Sequence, residues 1–289
     1  MLTAAVNTYL ARRRALGSQL RDSECILRNY ASFVEHKGDV YIRTPSVLEW
    51  IRGSSASPLR KRIRLRTVVL FARYLHAEDE RHDVPPEDAC GRHTPQRRPP
   101  FIFTPRDIGR LVHAAQGLGP EGSLRPQIYS TFFGLVASTG LRISEALNLR
   151  LEDVTDSGLV VRHTKFDKSR WLPLHATVRK RLDEYLERRS REAGECPFVF
   201  VAINDHRRQL HATTVRYVFR RLVCALGIAK PEDKPFPRIH DLRFYFTNQA
   251  IMNAPSDPDG IGRHMLALAT YLGHGDARNT YWYLEATPA

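Results

Sequence analysis

Apolar residues in this chain recur three and four positions apart along most of its length and alternate in one short stretch. Helices that each bury one face give that pattern, so the fold must be mainly α with very little sheet. Four such segments follow one another through residue 77. Leu2, Val6, Tyr9 and Leu10 share a face, and Ile26, Leu27, Tyr30, Phe33 and Val34 form a second stripe after Asp22 or Ser23 as a cap. Thr44-Pro45 and Ser57-Pro58 each read as an N-cap followed by proline at the first helical position, and Gly53 closes the third helix. The fourth helix is expected to bury Ile63, Thr67, Leu70, Phe71 and Tyr74. Residues 78–100, rich in proline, charge and histidine, show no period and read as a linker. Periodicity resumes at Thr104-Pro105, another capped helix start, with Ile108, Leu111 and Val112. It continues in an apolar helix from about Gln127 to Ser138 that stops at Thr139-Gly140, then in Val178, Leu182, Tyr185 and Leu186, and in Val215, Val218, Phe219, Leu222 and Leu226. Alternation is confined to Leu159–Thr164 and Trp171–Leu174, a small hairpin across Lys165–Arg170. Asn253–Gly262, with two prolines and two glycines, reads as a loop.

Composition narrows the function classes. A chain of 289 residues suits two domains, and its net charge of +13 calls for a polyanionic partner, nucleic acid first and acidic membrane second. Residues 1–100 hold 18 Lys+Arg against 11 Asp+Glu, and the remainder 26 against 20, so the excess is shared between both halves. That distribution suits a two-domain clamp on duplex DNA and fits poorly with a single membrane patch. The four cysteines form no CxxC pair, which argues against a disulfide scaffold or zinc ribbon and for a reducing cytosol. The opening MLTAAVNTYLARRR carries its charge after the apolar run, unlike a signal peptide, and no run approaches the roughly 18 apolar residues of a membrane span. There is no Walker loop and no acidic cluster of the two-metal nuclease kind, and Asp257-Pro258-Asp259-Gly260 reads as a turn. No metal or cofactor is expected.

Arg60, Lys61, Arg62, Arg64 and Arg66 place five cations in seven residues. At 100° per residue Arg62, Arg66 and Arg73 fall on one side of a helix, where guanidinium forks match phosphate oxygens. A solvated surface face is the alternative.

Four short segments of the second half carry the chemistry. Arg142, in Thr139-Gly140-Leu141-Arg142-Ile143-Ser144-Glu145, follows a glycine turn at a helix start, where free amides favour an anion. Glu145 lies three residues on, placed to orient a neighbouring cation or histidine. Lys165 sits at the hairpin tip. His240-Asp241-Leu242-Arg243 sets two donors at i, i+3 on one helical face, able to meet one phosphate. His274 in Leu272-Gly273-His274 precedes Tyr283 by nine residues, with Tyr271 and Tyr281 as competing tyrosines. Alone, each segment has an ordinary structural reading: a helix turn, a solubilising lysine, a surface ion pair, aromatic packing.

In this order and spacing the set closely resembles the tyrosine recombinase (phage integrase) family, over about residues 102–289. The helical first part is similar to that family's core-binding domain. The resemblance implies a mainly α fold: a helical core-binding domain (1–77), a linker (78–100) and a mostly helical catalytic domain (101–289) with a small antiparallel β-sheet. It implies that Tyr283 attacks a scissile phosphate to form a 3′-phosphotyrosyl link and that Arg142 and Arg243 clamp the non-bridging oxygens. Lys165 would protonate the departing 5′-oxygen, His240 and His274 would bond the phosphate, and Glu145 would support them. A phenol near pKa 10 needs neighbouring cations to become a nucleophile, and phosphoryl transfer gains most from positioned positive charge. The reaction would need neither metal nor ATP. The expected partner is double-stranded DNA, bound as a homo-tetramer on two duplexes by a protein that is monomeric when free, in a prokaryotic cytoplasm at the nucleoid. Three features depart from the family pattern: Phe244-Tyr245-Phe246 where a histidine often follows the arginine, the long Asn253–Gly262 stretch, and only six residues after Tyr283. Two other functions compete: a type IB topoisomerase-like relaxing enzyme and a non-cleaving DNA-binding protein of the same fold.

Overall fold

The computed structural model describes residues 2–18, 20–91, 98–162, 169–205, 208–230, 232–233 and 235–273. The chain divides into two compact units, residues 1–97 and 98–289.

The first unit holds α1 (Leu2–Ala15), α2 (Arg21–Lys37), α3 (Thr44–Arg52) and α4 (Pro58–His76). Val6, Leu27, Tyr30, Val34, Val47, Val68 and Phe71 are sealed in its core, with the Tyr30 and Trp50 rings edge-on at 5.2 Å. The expected stripes on α1 and α2 are buried, Phe33 only partly. Helix starts are less literal. Ser57 does cap α4, accepting the Arg60 N–H at 3.4 Å. Thr44, however, is the first residue of α3, and its own N–H is taken by Asp83 Oδ2 at 2.9 Å, a cap supplied from 39 residues away. Asp22 lies inside α2, where its carboxylate takes two 2.7 Å bonds from Arg60.

The buried face of α4 differs from the expected one. Leu65, Val68, Val69, Phe71, Ala72 and Leu75 face the core, while Ile63 (38% exposed) and Leu70 (43%) stand outward. This helix has apolar residues around more than half its circumference, so periodicity offered two adjacent stripes, and contact with α1, α2 and α3 selected one. Arg62, Arg66 and Arg73 are exposed, as expected, and share the outer face with Ile63 and Leu70. Within the aperiodic 78–100 stretch, Asp83 donates its N–H to Ile42 O at 2.9 Å and His82 Nδ1 accepts the Ile42 N–H at 3.1 Å.

The second unit contains α5 (Pro105–Gln116), α6 (Arg125–Thr139), α7 (Ile143–Asn148), β1 (Val154–Thr155), β2 (Gly158–Val161), β3 (Arg170–Pro173), α8 (Ala176–Glu192), α9 (Ala212–Ala225), α10 (Ile239–Met252) and α11 (Pro258–Leu272). Thr104 caps α5 in a reciprocal box with Asp107: each side chain takes the other's N–H, at 3.1 and 3.0 Å. Helix α6 is apolar nearly all round because α5, α8 and α10 enclose it. Its Phe132 and Phe133 meet Phe200 and Phe219 at 5.1 and 5.8 Å. The antiparallel sheet runs β1-β2-β3, with Leu159 opposite Leu172 and Val161 opposite Arg170. The expected hairpin is therefore present, with β1 added at its edge.

One loop is shorter than its composition suggested. In Asn253–Gly262 only the first part is irregular; Asp257 caps α11, accepting the Gly260 N–H at 2.6 Å, and the chain is helical from Pro258. The proline and glycine content here marks a helix start rather than a continued loop. Among the described residues no helix is long and apolar enough to cross a membrane.

Candidate active site

Gly140 makes the first move toward the site. It ends α6 at φ +63°, and a Cβ there would lie 2.5 Å from Phe246 Cδ1 and 3.2 Å from Leu272 Cδ2. Only glycine lets the turn press this closely onto α10 and α11. The turn delivers Arg142 as the residue before α7 and Glu145 three residues on.

Glu145 is buried and is the hub of the site. Its Oε1 accepts Arg142 Nη1 at 2.6 Å and Arg170 Nη1 at 3.1 Å; its Oε2 accepts the Arg142 backbone N–H at 3.0 Å and Arg170 Nη2 at 2.8 Å. Arg243 Nη1 stands 4.0 Å from the same carboxylate. Burial on its own would raise this carboxyl; the Arg170 bonds and charge, then Arg142, outweigh it and hold the group down at about 2. The amide at the start of α7 is thus used by Glu145 rather than left open to an anion, and the anion-attracting charge resides in the guanidinium groups.

Arg243 and His240, one turn apart on α10, do not share an environment. Arg243 is 1% exposed, its Nη1 donating to Gly140 O at 2.6 Å and its Nη2 to Leu272 O at 2.7 Å. A surface ion pair is thereby excluded for this residue. His240 lies at the surface end of the helix, yet with enough protein around its ring that desolvation, followed by the Arg243 charge, lowers its pKa. Helix α10 begins where it does because Asp241 Oδ2 accepts the Arg238 N–H at 2.7 Å. Arg142 also reaches across to α11, Nη1 to Leu272 O at 3.4 Å and Nη2 to Gly273 O at 3.3 Å, and retains 28% of its side-chain surface.

The structure therefore brings Arg142, Glu145, His240 and Arg243 together from segments about a hundred residues apart. Lys165, His274 and Tyr283 lie outside the described residues, as does Tyr281. Arg62, Arg66 and Arg73 belong to the first unit. Tyr271 is a packing residue: its ring stacks on Phe246 at 5.4 Å, and burial pushes its phenol up to about 12, away from a nucleophile's direction.

The sequence marks Arg170 only as the end of the hairpin turn and gives it no part in the site, whereas it is the first residue of β3 and a partner of Glu145. A signal for it existed: period 2 through Arg170-Trp171-Leu172-Pro173 puts Arg170 on the inward face of β3 with the buried Leu172, opposite the exposed Trp171. A cation on the apolar face of a strand calls for a buried partner, and Glu145 is that partner.

Known proteins resemble the chain in both sequence and shape. The model of the phage integrase family matches residues 102–289. An inferred integrase/recombinase of Sinorhizobium fredii, y4rB, is 36% identical over 98% of this chain and 92% of its own length. Among solved structures, the Tn1549 transposon integrase bound to transposon right end DNA aligns over 99% of this chain and 95% of its own, with TM-score 0.66 and 17% identity. A lambda integrase tetramer bound to a Holliday junction covers 96% and 78%, with TM-score 0.62 and 18% identity. At such identities these two likenesses concern the fold.

Proposed function

Since the chain belongs to the phage integrase family, we propose that it cuts and rejoins DNA strands through Tyr283, with Arg142, Lys165, His240, Arg243 and His274 as its catalytic partners. It is a tyrosine recombinase, a site-specific enzyme of DNA integration and recombination. The Tyr283 oxygen attacks the scissile phosphorus, forming a 3′-phosphotyrosyl ester as the bond to the 5′-oxygen breaks, and Lys165 gives that oxygen its proton. A 5′-hydroxyl of the partner duplex then attacks the same phosphorus and releases the tyrosine. One phosphodiester is exchanged for another, so no ATP is consumed, and the positive charge comes from side chains rather than a metal.

One observation carries this reading: three arginines converge on a single carboxylate, with His240 close enough to two of them to feel the Arg243 and Arg142 charges. A purely structural ion network would balance its charges; this one leaves a cationic excess beside the partly open Arg142, where a phosphate oxygen can dock. Arg243, beneath it, keeps the Gly140 and Leu272 carbonyls in place and adds its charge from below. Along α4, Arg62, Arg66 and Arg73 hold duplex DNA without taking part in chemistry, and α9 adds the exposed Arg216, Arg220 and Arg221. The active assembly is a tetramer on two duplexes, a reading supported by the fold shared with the lambda integrase tetramer on a Holliday junction. Its place is the bacterial cytoplasm, on DNA.

The test recovers covalent protein–DNA complexes from the host, sequences the DNA and builds a nicked duplex from it. Wild type and Tyr281→Phe form an adduct that survives denaturation, also in EDTA; Tyr283→Phe binds the duplex and forms none. An adduct with Tyr283→Phe, or strict Mg²⁺ dependence, overturns the mechanism. Joining of strands from two duplexes separates recombination from simple relaxation.

A further inference from the structure

We propose that Arg170 is a positioning residue for the phosphate clamp: it grips the Glu145 carboxylate so that this carboxylate fixes the guanidinium of Arg142. The inference rests on the reading of Arg142 as the phosphate-binding arginine.

Arg170 opens β3, opposite Val161, and reaches from the sheet to α7. Its two terminal nitrogens meet the two oxygens of Glu145 fork to fork, Nη1 to Oε1 at 3.1 Å and Nη2 to Oε2 at 2.8 Å. Each gives one N–H to that carboxylate, and the side chain is 12% exposed against 28% for Arg142. Arg170 is thus the more enclosed of the two arginines, with its fork turned onto Glu145, and acts through what it holds. Each Glu145 oxygen accepts one bond from Arg170 and one from Arg142, so the carboxylate cannot turn without breaking bonds to both. With Arg170 removed, Glu145 keeps the hydrogen bonds of Arg142, its neighbour in sequence, and the more distant charge of Arg243, and the geometry of Arg142 is no longer referred to the sheet.

The turn after α11 leaves Arg170 little room. Gly273, at φ +66°, passes so close that a Cβ would lie 2.9 Å from Arg170 Nη1, and the Gly273 carbonyl accepts Arg142 Nη2 at 3.3 Å. The turn after α11 therefore bonds Arg142 and has room beside Arg170 only for a glycine. Among the described residues the charged groups at Glu145 are Arg142 from its own turn, Arg170 from β3 and Arg243 from α10; His240 faces the Arg243 and Arg142 charges, and Tyr271 those of Arg170 and Arg243. Lysine cannot substitute, because a single ammonium does not span two carboxylate oxygens.

Single-turnover adduct formation on the nicked duplex tests this with Arg170→Gln, Arg170→Lys and Arg142→Ala. Arg170→Gln should slow cleavage by about 10²-fold, the order seen when one aligned donor to a transition state is lost. Arg170→Lys, which keeps the charge and loses the fork, should recover only part of it. The double variant Arg142→Ala/Arg170→Gln should cleave no more slowly than Arg142→Ala, because Arg170 acts through Arg142. Arg170→Gln should also acquire an acid limb that wild type lacks, since burial then raises Glu145 against fewer cations, and Glu145→Gln/Arg170→Gln should not show it. Losses that multiply in the double variant, a slowing within twofold, or an unaltered pH profile each overturn the proposal. Should Arg170→Gln fail to fold, Arg170→Lys carries the cycle alone. If wild type forms no adduct, the catalytic reading fails; urea unfolding still judges the Arg170–Glu145 link, because Arg170→Gln must lose part of the stability that wild type sheds between pH 5 and pH 2. An unchanged pH dependence of unfolding overturns the link itself.

Discussion

Two glycines of the second unit share the same backbone angle, φ +63°, in different surroundings: Gly140 after α6 and Gly227 after α9. Replacing each with alanine separates what the angle costs from what the packing costs. In the left-handed region an alanine costs about 1–2 kcal/mol at either position. At Gly227 the new Cβ meets nothing within 4 Å, so Gly227→Ala should cost that much and no more. At Gly140 it meets Phe246 Cδ1 at 2.5 Å and Leu272 Cδ2 at 3.2 Å. Phe246 is stacked on Tyr271 at 5.4 Å and cannot swing aside without breaking that contact. Overpacking of this kind adds about 1–3 kcal/mol, so Gly140→Ala should cost about 2–5 kcal/mol. The strain also falls on chemistry, because the Gly140 carbonyl accepts Arg243 Nη1 at 2.6 Å. Urea unfolding of the full chain at pH 7, followed by circular dichroism, reads both costs from the same unit. Adduct formation on the nicked duplex should then be lost in Gly140→Ala and retained in Gly227→Ala. Equal costs for the two substitutions, or normal cleavage by Gly140→Ala, would refute the reasoning.

Glu145→Gln should remove about 3 kcal/mol at pH 7, because the folded carboxyl at about 2 lies well below its ordinary 4.5. A depressed folded pKa stabilises above the unfolded value and loses that stability as pH falls toward 2, so unfolding curves of variant and wild type should converge to less than half the gap by about pH 3. In α4, Leu65→Ala should cost about 2–5 kcal/mol and Ile63→Ala under about 1 kcal/mol, since the first side chain is sealed and the second 38% exposed; equal melting shifts would contradict the assigned face. Arg66→Ala should lower the slope of log affinity against log salt by about 0.9 on duplex DNA while adduct formation at saturating DNA stays normal; an unchanged slope removes Arg66 from the phosphate contacts.

Much of the fold was legible because helix signals are local. The stripes of α1 and α2, the Ser57 and Thr104 caps, the glycine stop at Gly140 and the hairpin all depend on residues within one or two turns, and the structure has them. Where the deciding partner was distant, local signals misled. Thr44 reads as a cap until Asp83 takes its amide, and Asp22 reads as a cap until Arg60 engages it. The site divides in the same way. Arg142, Glu145, His240 and Arg243 sit in recognisable segments, whereas Arg170 lies in a strand start whose partner is 25 residues back.

Apolar spacing was enough for the helical class, net charge for a polyanionic partner, and the ordered Arg, Lys, His-x-x-Arg, Gly-His and Tyr motifs for the family resemblance. Contacts across the chain were needed to choose Leu65 over Ile63 for the core, to sink Arg243 under the Gly140 turn, and to lock Arg170 onto Glu145. The physical reason is range. Periodicity and capping are energies of neighbouring residues, while burial and ion pairing are set by whichever surfaces meet, and a helix with two adjacent apolar stripes leaves that choice to its neighbours.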